Sequence, residues 1–318
     1  MKKIELHLHL EGAAPPAFIR SLAAEKGADL HRIFDERGNY SYEDFAGFLR
    51  VYEAVASVIT SPADYSRLLR VVLENCAENG AIYAELFVSP DFCGNGDLVA
   101  WRDYQSALSE VATEMRGQGI ESRGIVTAIR HFDPMQARKA AICAAETSDD
   151  WIGGFGLGGN EAIPASDFRW SFDCACEAGL GLTCHAGEWA GPQSIRDALE
   201  LGVSRIGHGV RAVEDAALMR DLAEQGIVLE VCPGSNIALG LYPDWAGHPI
   251  ARLADAGVRV TVSTDDPPFF ATSLEQEYAR LADAFGWGEV EFLQMNQWAI
   301  DAAFCNDAIK DRLRKELQ

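Results

Sequence analysis

Two histidines stand two residues apart in an apolar run near the start of the chain, Lys3-Ile-Glu-Leu-His-Leu-His-Leu-Glu-Gly12. In a strand, side chains at i and i+2 point to the same side. His7 and His9 therefore share one face with Glu5 or Glu11, while Leu6, Leu8 and Leu10 take the other. Two neighbouring imidazoles on one buried face suggest a metal ion. Further along, His185 and Glu188 stand in His-Ala-Gly-Glu. His208 lies between two glycines, and Asp265 and Asp266 fall in Ser-Thr-Asp-Asp-Pro267. Three neutral imidazoles and one carboxylate suit Zn²⁺, with the remaining coordination position open to water. Zinc brings the pKa of such a water toward neutrality. His7, His9, His185 and Asp265 are the expected ligands of one zinc per chain. His208 is expected beside the metal-bound water, and Asp265 as ligand and acceptor of the water's proton. Glu188 would donate a proton to a substrate nitrogen if enclosure raises its pKa.

Taken singly, these residues say little. A lone strand histidine is more often structural than a ligand, and Asp266-Pro-Pro268 alone is a turn. The joint pattern is what points to a metal. The eight cysteines contain no CxxC pair, and Cys174-x-Cys176 falls where a helix ends, so they read as ordinary reduced thiols. The HxE plus PCxxC pattern of cytidine-type zinc deaminases is absent, as is the HExxH of zinc proteases.

The elements that must carry these residues recur at regular intervals. Short β-rich apolar runs span 4–10, 81–89, 122–129, 152–159, 179–187, 205–210, 226–233 and 259–267. Stretches of helical spacing separate them, which predicts a parallel sheet. Eight such units match a (β/α)₈ TIM barrel, typically about 250 residues long. His9, His185, His208 and Asp265 fall at the C-terminal ends of their runs, where barrel active sites form. One connection is far longer than a crossover needs. Residues 11–80 read as a helical insertion, with Phe45, Phe48, Leu49 and Tyr52 on one stripe, and long insertions at this end are expected to form lids. Residues 268–318 read as helices closing the barrel, and residues 1–318 as one domain.

The chain of 318 residues carries 48 Asp+Glu against 27 Lys+Arg, net −21. This predicts repulsion from phosphate backbones and anionic membranes, so neither nucleic acid nor membrane is an expected partner. No run is long and apolar enough to span a bilayer. No signal peptide is read before the first strand, and a cytoplasmic location is expected. The sequence implies no particular oligomeric state.

The motifs HLHLEG (7–12), GLGGNE (156–161), HAGE (185–188), RIGHG (205–209), VCPGSN (231–236) and STDDP (263–267) resemble, in order and over nearly the whole chain, those of the adenosine deaminase family of amidohydrolases. The resemblance implies a (β/α)₈ barrel, a single zinc on His7, His9, His185 and Asp265, and hydrolytic loss of a purine 6-amino group. It makes Glu188 the donor to purine N1 and His208 the residue that orients the hydroxide. Asp266 would bond N7 and the Gly159 N–H would meet N3, with His9 and Glu11 also facing the substrate. Related amidohydrolases with two metals bridge them by a lysine on strand four, and none stands there. Within the family, a glycine two residues before the strand-four glutamate favours a nucleoside, and Gly159 is so placed. Against this, Glu11 stands, one methylene longer, where many adenosine deaminases carry an aspartate that can bond the ribose 5′-hydroxyl; the glycine outweighs that departure. Adenosine or deoxyadenosine is therefore the expected small-molecule substrate. Adenine, or a 5′-modified adenosine such as aminodeoxyfutalosine, is the alternative. Another metal-dependent hydrolase and a non-catalytic binding protein are the readings from other classes.

Overall fold

Each predicted apolar run becomes a strand because its β-branched and aliphatic residues are bounded by glycine or polar turns. The computed structural model describes residues 1–318. Its strands are β1 (Lys3–His9), β2 (Ala81–Val88), β3 (Glu121–Ile129), β4 (Ile152–Gly158), β5 (Gly181–Ala186), β6 (Arg205–His208), β7 (Val228–Val231) and β8 (Arg259–Val262). They pair in parallel in the order of the chain. Past the end of β8, Asp265 N–H donates to His7 O at 3.1 Å and His9 N–H to Asp265 O at 3.0 Å. The barrel thus closes through a bridge between Leu8 and Asp265, a residue of the site itself. This is the expected (β/α)₈ barrel.

The alternation expected for β1 holds for the histidines and fails for Glu5. Glu5 pairs with Ala84 but Leu8 with Leu86, so β1 carries one extra residue between them. Such a bulge re-aims side chains. Glu5 turns to Thr264, whose N–H donates to it at 3.0 Å, and to Cys76. Glu11 lines the pocket at the barrel mouth instead.

The long first connection holds α1 (Pro16–Lys26), a short 3₁₀ turn (His31–Ile33), α2 (Phe45–Ala56) and α3 (Pro62–Glu78). The last of these packs on β2 and on the helix Leu98–Gly117, as an ordinary outer-ring helix does. The part that crosses the mouth is α2 with its approach. Asp44 caps α2 by accepting from Gly47 N–H at 2.7 Å. Phe45, Phe48, Leu49 and Tyr52, the predicted stripe, all face the pocket. Phe48 stacks on Phe270 with centroids 5.5 Å apart, and Phe45 meets Trp189 at 4.8 Å. Tyr42 Oη donates to Phe269 O at 2.8 Å. These contacts tie the insertion to the loops after β5 and β8, the loops that carry Glu188 and Asp266.

The C-terminal helices Leu274–Phe285, Glu289–Ala302 and Asp307–Leu317 complete the outer layer, as expected. All eight cysteines are free. Cys174 and Cys176 lie on the helix Arg169–Glu177, half-buried and exposed, away from the mouth. No helix is long and apolar enough to cross a membrane.

Candidate active site

The barrel brings the predicted residues to one pocket. His9, Glu11, Gly159, His185, Glu188, His208, Asp265 and Asp266 all line it. His7 lies beneath, fully buried.

One donor atom each from His7, His9, His185 and Asp265 lies within 4.8 Å of the others. Asp265 Oδ1 is 3.3 Å from His9 Nε2 and 3.6 Å from His7 Nε2. His9 Nε2 and His185 Nε2 are 3.1 Å apart. Each ring has its far nitrogen occupied or solvent-side. His7 Nδ1–H donates to Glu230 Oε2 at 2.7 Å, and His185 Nδ1–H to Leu157 O at 3.0 Å. Both therefore turn an Nε2 lone pair inward. His7 Nε2 is buried and has no hydrogen-bond partner. Converging lone pairs and an orphaned imidazole nitrogen are costly without a cation among them. The donor set fits a metal of the zinc class, with three nitrogens, one carboxylate and room for a further ligand.

Support for the cluster comes from residues behind it. Glu230 also accepts from Arg205 Nε at 2.6 Å and Thr183 Oγ1 at 2.9 Å. Burial opposes its charge, but Arg205 and His7 outweigh that and hold its pKa at about 2. Ser235 Oγ donates to Asp265 Oδ2 at 2.7 Å. Partners of this kind orient metal ligands. Ser235→Ala is expected to lower metal affinity or activity by roughly 10–100-fold, read by metal titration of the purified variant. An unchanged affinity and rate would remove Ser235 from this role.

Local backbone shape aims the other groups. His208 and Asp265 adopt left-handed φ of 61° and 67°. Such conformations are strained for non-glycine residues and concentrate at functional sites. Gly12 must lack a side chain, because a Cβ there would fall 1.5 Å from Asp266 Oδ1.

Glu188 sits at the pocket wall, 8% exposed. Burial first, then the charges of Asp265, Glu161 and Asp266, push its pKa well above the usual carboxylate range. Burial of this kind disfavours the charged carboxylate. Asp266 is raised by the same causes, burial and then the Asp265 charge, and its Oδ1 is buried without a partner. Burial lowers His208 to about 3, so that ring is neutral. Glu11 has both oxygens engaged, accepting from Tyr65 Oη at 2.8 Å and Tyr52 Oη at 3.4 Å.

Several supporting residues carried no expected role. Glu161, the last residue of GLGGNE, accepts from Glu188 N–H at 3.1 Å and Ala190 N–H at 2.7 Å. It braces the turn that presents Glu188. Asn236, within VCPGSN, touches both Glu188 and His208. Glu230 and His248 belong to none of the chemical motifs, and Glu230 meets its partner His7 from 223 residues away in the chain.

The adenosine deaminase family pattern matches residues 2–318. An adenine deaminase of Agrobacterium fabrum (strain C58 / ATCC 33970) is 48% identical over 321 residues, covering 99% of this chain and 97% of that protein. The crystal structure of an adenine deaminase from Arthrobacter aurescens is similar, with a TM-score of 0.91 and 28% identity, covering 99% of this chain and 97% of that one. An amidohydrolase from Burkhoderia ambifaria, solved with bound Zn, has a TM-score of 0.89 and 27% identity, covering 100% of this chain and 89% of that one. A match over the full barrel, with a close relative at nearly half identity, places this chain in the adenosine deaminase family, as a hydrolytic deaminase acting on a C–N bond.

Proposed function

We propose that the protein is a zinc-dependent adenine deaminase, converting adenine and water to hypoxanthine and ammonia in the cytoplasm. The observation that carries the reaction is a buried Glu188, its pKa raised by that burial, facing the same pocket as a four-donor cluster. His7, His9, His185 and Asp265 would hold one zinc. When bound, that ion would acidify a water and so supply the nucleophile near neutral pH.

The chain's own residues do the rest. The purine C6 is an aromatic carbon and resists attack, because addition breaks the ring's conjugation. Protonation of N1 by Glu188 makes C6 electrophilic, and the proton stays on N1 as water adds. Asp265 accepts one proton of the attacking water and passes it to the amino group, which leaves as ammonia as C6 becomes a carbonyl, and the second water proton, left on the C6 oxygen, returns to Glu188. His208 donates from its ring to the oxygen that attacks C6. The Asp266 carboxyl hydrogen-bonds N7, and the Gly159 N–H meets N3, fixing the ring face. Phe45, Phe48, Leu49, Tyr52 and Phe270 cover the opening and exclude water. We also propose that α2 acts as a lid, because its aromatic stripe covers the pocket and meets the loops after β5 and β8.

The free base is favoured over the expected nucleoside for two reasons. Close relatives are named adenine deaminase. Glu11, the residue expected to face a ribose 5′-hydroxyl, has both oxygens held by tyrosine hydroxyls from α2 and α3. A nucleotide is disfavoured as well, because no lysine or arginine lines the pocket to meet a phosphate. The glycine at 159 thus accompanies a base-specific pocket in this reading.

Ammonia release from adenine, adenosine, deoxyadenosine, AMP and a 5′-modified adenosine tests the assignment on enzyme of counted metal content. Adenine is expected to exceed each nucleoside in kcat/KM by at least about 10³-fold, since Glu11, held by Tyr52 and Tyr65, gives a ribose little. Comparable turnover of adenosine would return the reading to the nucleoside.

A further inference from the structure

His248 does not line the pocket and is 2% exposed. It lies in the connection between β7 and β8, with its ring against Tyr242 at 5.1 Å. Its hydrogen bonds have a direction that can be followed to the site. Ile250 N–H donates to His248 Nδ1 at 3.3 Å, so Nδ1 carries a lone pair. Burial, with His208 nearby, lowers the ring to about 3, so it is neutral and its one proton is on Nε2. His248 Nε2 is 3.1 Å from Asn236 Oδ1. That oxygen accepts, and the Asn236 amide must turn its NH₂ the other way. Asn236 Nδ2 is 3.4 Å from Glu188 Oε1 and 3.4 Å from His208 Nδ1. Both of those atoms must then accept.

Two consequences follow. A His208 whose Nδ1 accepts from Asn236 carries its proton on Nε2, the atom 4.0 Å from Asp265 Oδ2. It can donate toward the reacting oxygen and cannot take a proton there. A Glu188 whose Oε1 accepts from Asn236 leaves Oε2 as the oxygen that can carry a proton to the substrate ring.

We propose that His248, acting through Asn236, is a positioning residue that sets the His208 tautomer and the proton-bearing oxygen of Glu188. This rests on the roles given to Glu188 and His208 in the deaminase reading. Without the His248 N–H, the Asn236 amide is free to flip. It would then present its oxygen, an acceptor, to two groups that need a donor. Neither Asn236, which is fully buried, nor His248 touches the substrate.

The test compares His248→Phe with His248→Gln in the full-length, zinc-loaded enzyme. Phenylalanine keeps a ring against Tyr242 but removes the donor. Glutamine restores an amide N–H within reach of Asn236. The expected result for His248→Phe is a kcat for adenine about 10²-fold lower, the scale of a misplaced catalytic group. Its KM and its single metal are expected to be retained, and His248→Gln is expected to recover most of the rate. Asn236→Asp provides a near-isosteric check should the phenylalanine variant fold poorly. It still accepts from His248 but cannot donate to Glu188 or His208, and a similar kcat loss at unchanged KM is expected. Wild-type kcat in a folded His248→Phe or in Asn236→Asp would overturn the proposal. So would a His248→Gln as slow as His248→Phe, or losses that track thermal stability alone. Glu188→Gln run in parallel separates the two claims. A fast Glu188→Gln removes the acid role itself, whereas a slow Glu188→Gln beside a fast His248→Phe removes only the relay.

Discussion

Glu188→Gln is expected to lower kcat for adenine by roughly 10²–10⁴-fold, the range a general acid contributes, with one metal per chain retained. Glutamine fills the same space and can still hydrogen-bond N1, but it has no proton to give. The four donor atoms of the metal cluster do not include Glu188, so metal content isolates the effect to proton transfer. A pH signature accompanies it. The Glu188 carboxyl is pushed well above the usual range by burial and then by Asp265, Glu161 and Asp266. The competent form is the protonated one. Activity is therefore held below that raised pKa and falls as pH rises through it, and Glu188→Gln should lack this alkaline limb. Metal analysis with a pH–rate profile of both proteins checks the prediction. A variant turning over adenine at near wild-type rate would remove Glu188 as the acid.

Asp265→Ala is expected to lose both the metal and the reaction. The rate should fall by roughly 10³-fold or more, equivalent to the several kcal/mol a metal centre contributes to such a reaction. In the proposed mechanism Asp265 both holds the metal and accepts the water's proton, and one substitution removes both. Its Oδ1 lies among the imidazoles while Oδ2 accepts from Ser235. Its backbone also bridges β8 to β1 through His7 and His9. The main-chain bonds can survive the change to alanine, although the left-handed φ of 67° favours a small or Asx residue there. Circular dichroism should therefore show a folded barrel that binds zinc weakly. A folded Asp265→Ala that keeps a full equivalent of tightly held zinc would take Asp265 out of the ligand set.

The barrel was legible because each strand is a short apolar run punctuated by glycine or a polar turn, and because helical spacing fills the gaps. The convergence of His9, His185, His208 and Asp265 then follows from the fold, since strand C-termini share one mouth. The α2 stripe was legible for a different reason. Phe45, Phe48, Leu49 and Tyr52 are too apolar for a solvent-facing helix, and the pocket is where they are covered. Less legible was anything set by register or by distant partners. The extra residue in β1 separates Glu5 from Glu11, and strict alternation gives no sign of it. Glu11 reads as free for a ribose until Tyr52 and Tyr65 arrive from two separate helices. Glu230 behind His7, and His248 behind Asn236, act across 223 and 12 residues of chain respectively. Local pattern does not encode such pairings.

The most direct test of the central claim is a single-turnover reaction with adenine in H₂¹⁸O on enzyme carrying one zinc per chain. Hydrolytic deamination predicts hypoxanthine with one ¹⁸O at C6 and one equivalent of ammonia, both abolished when the metal is removed and restored when zinc is returned. Absence of ammonia from adenine on the zinc-loaded enzyme, or turnover indifferent to the metal, would contradict it.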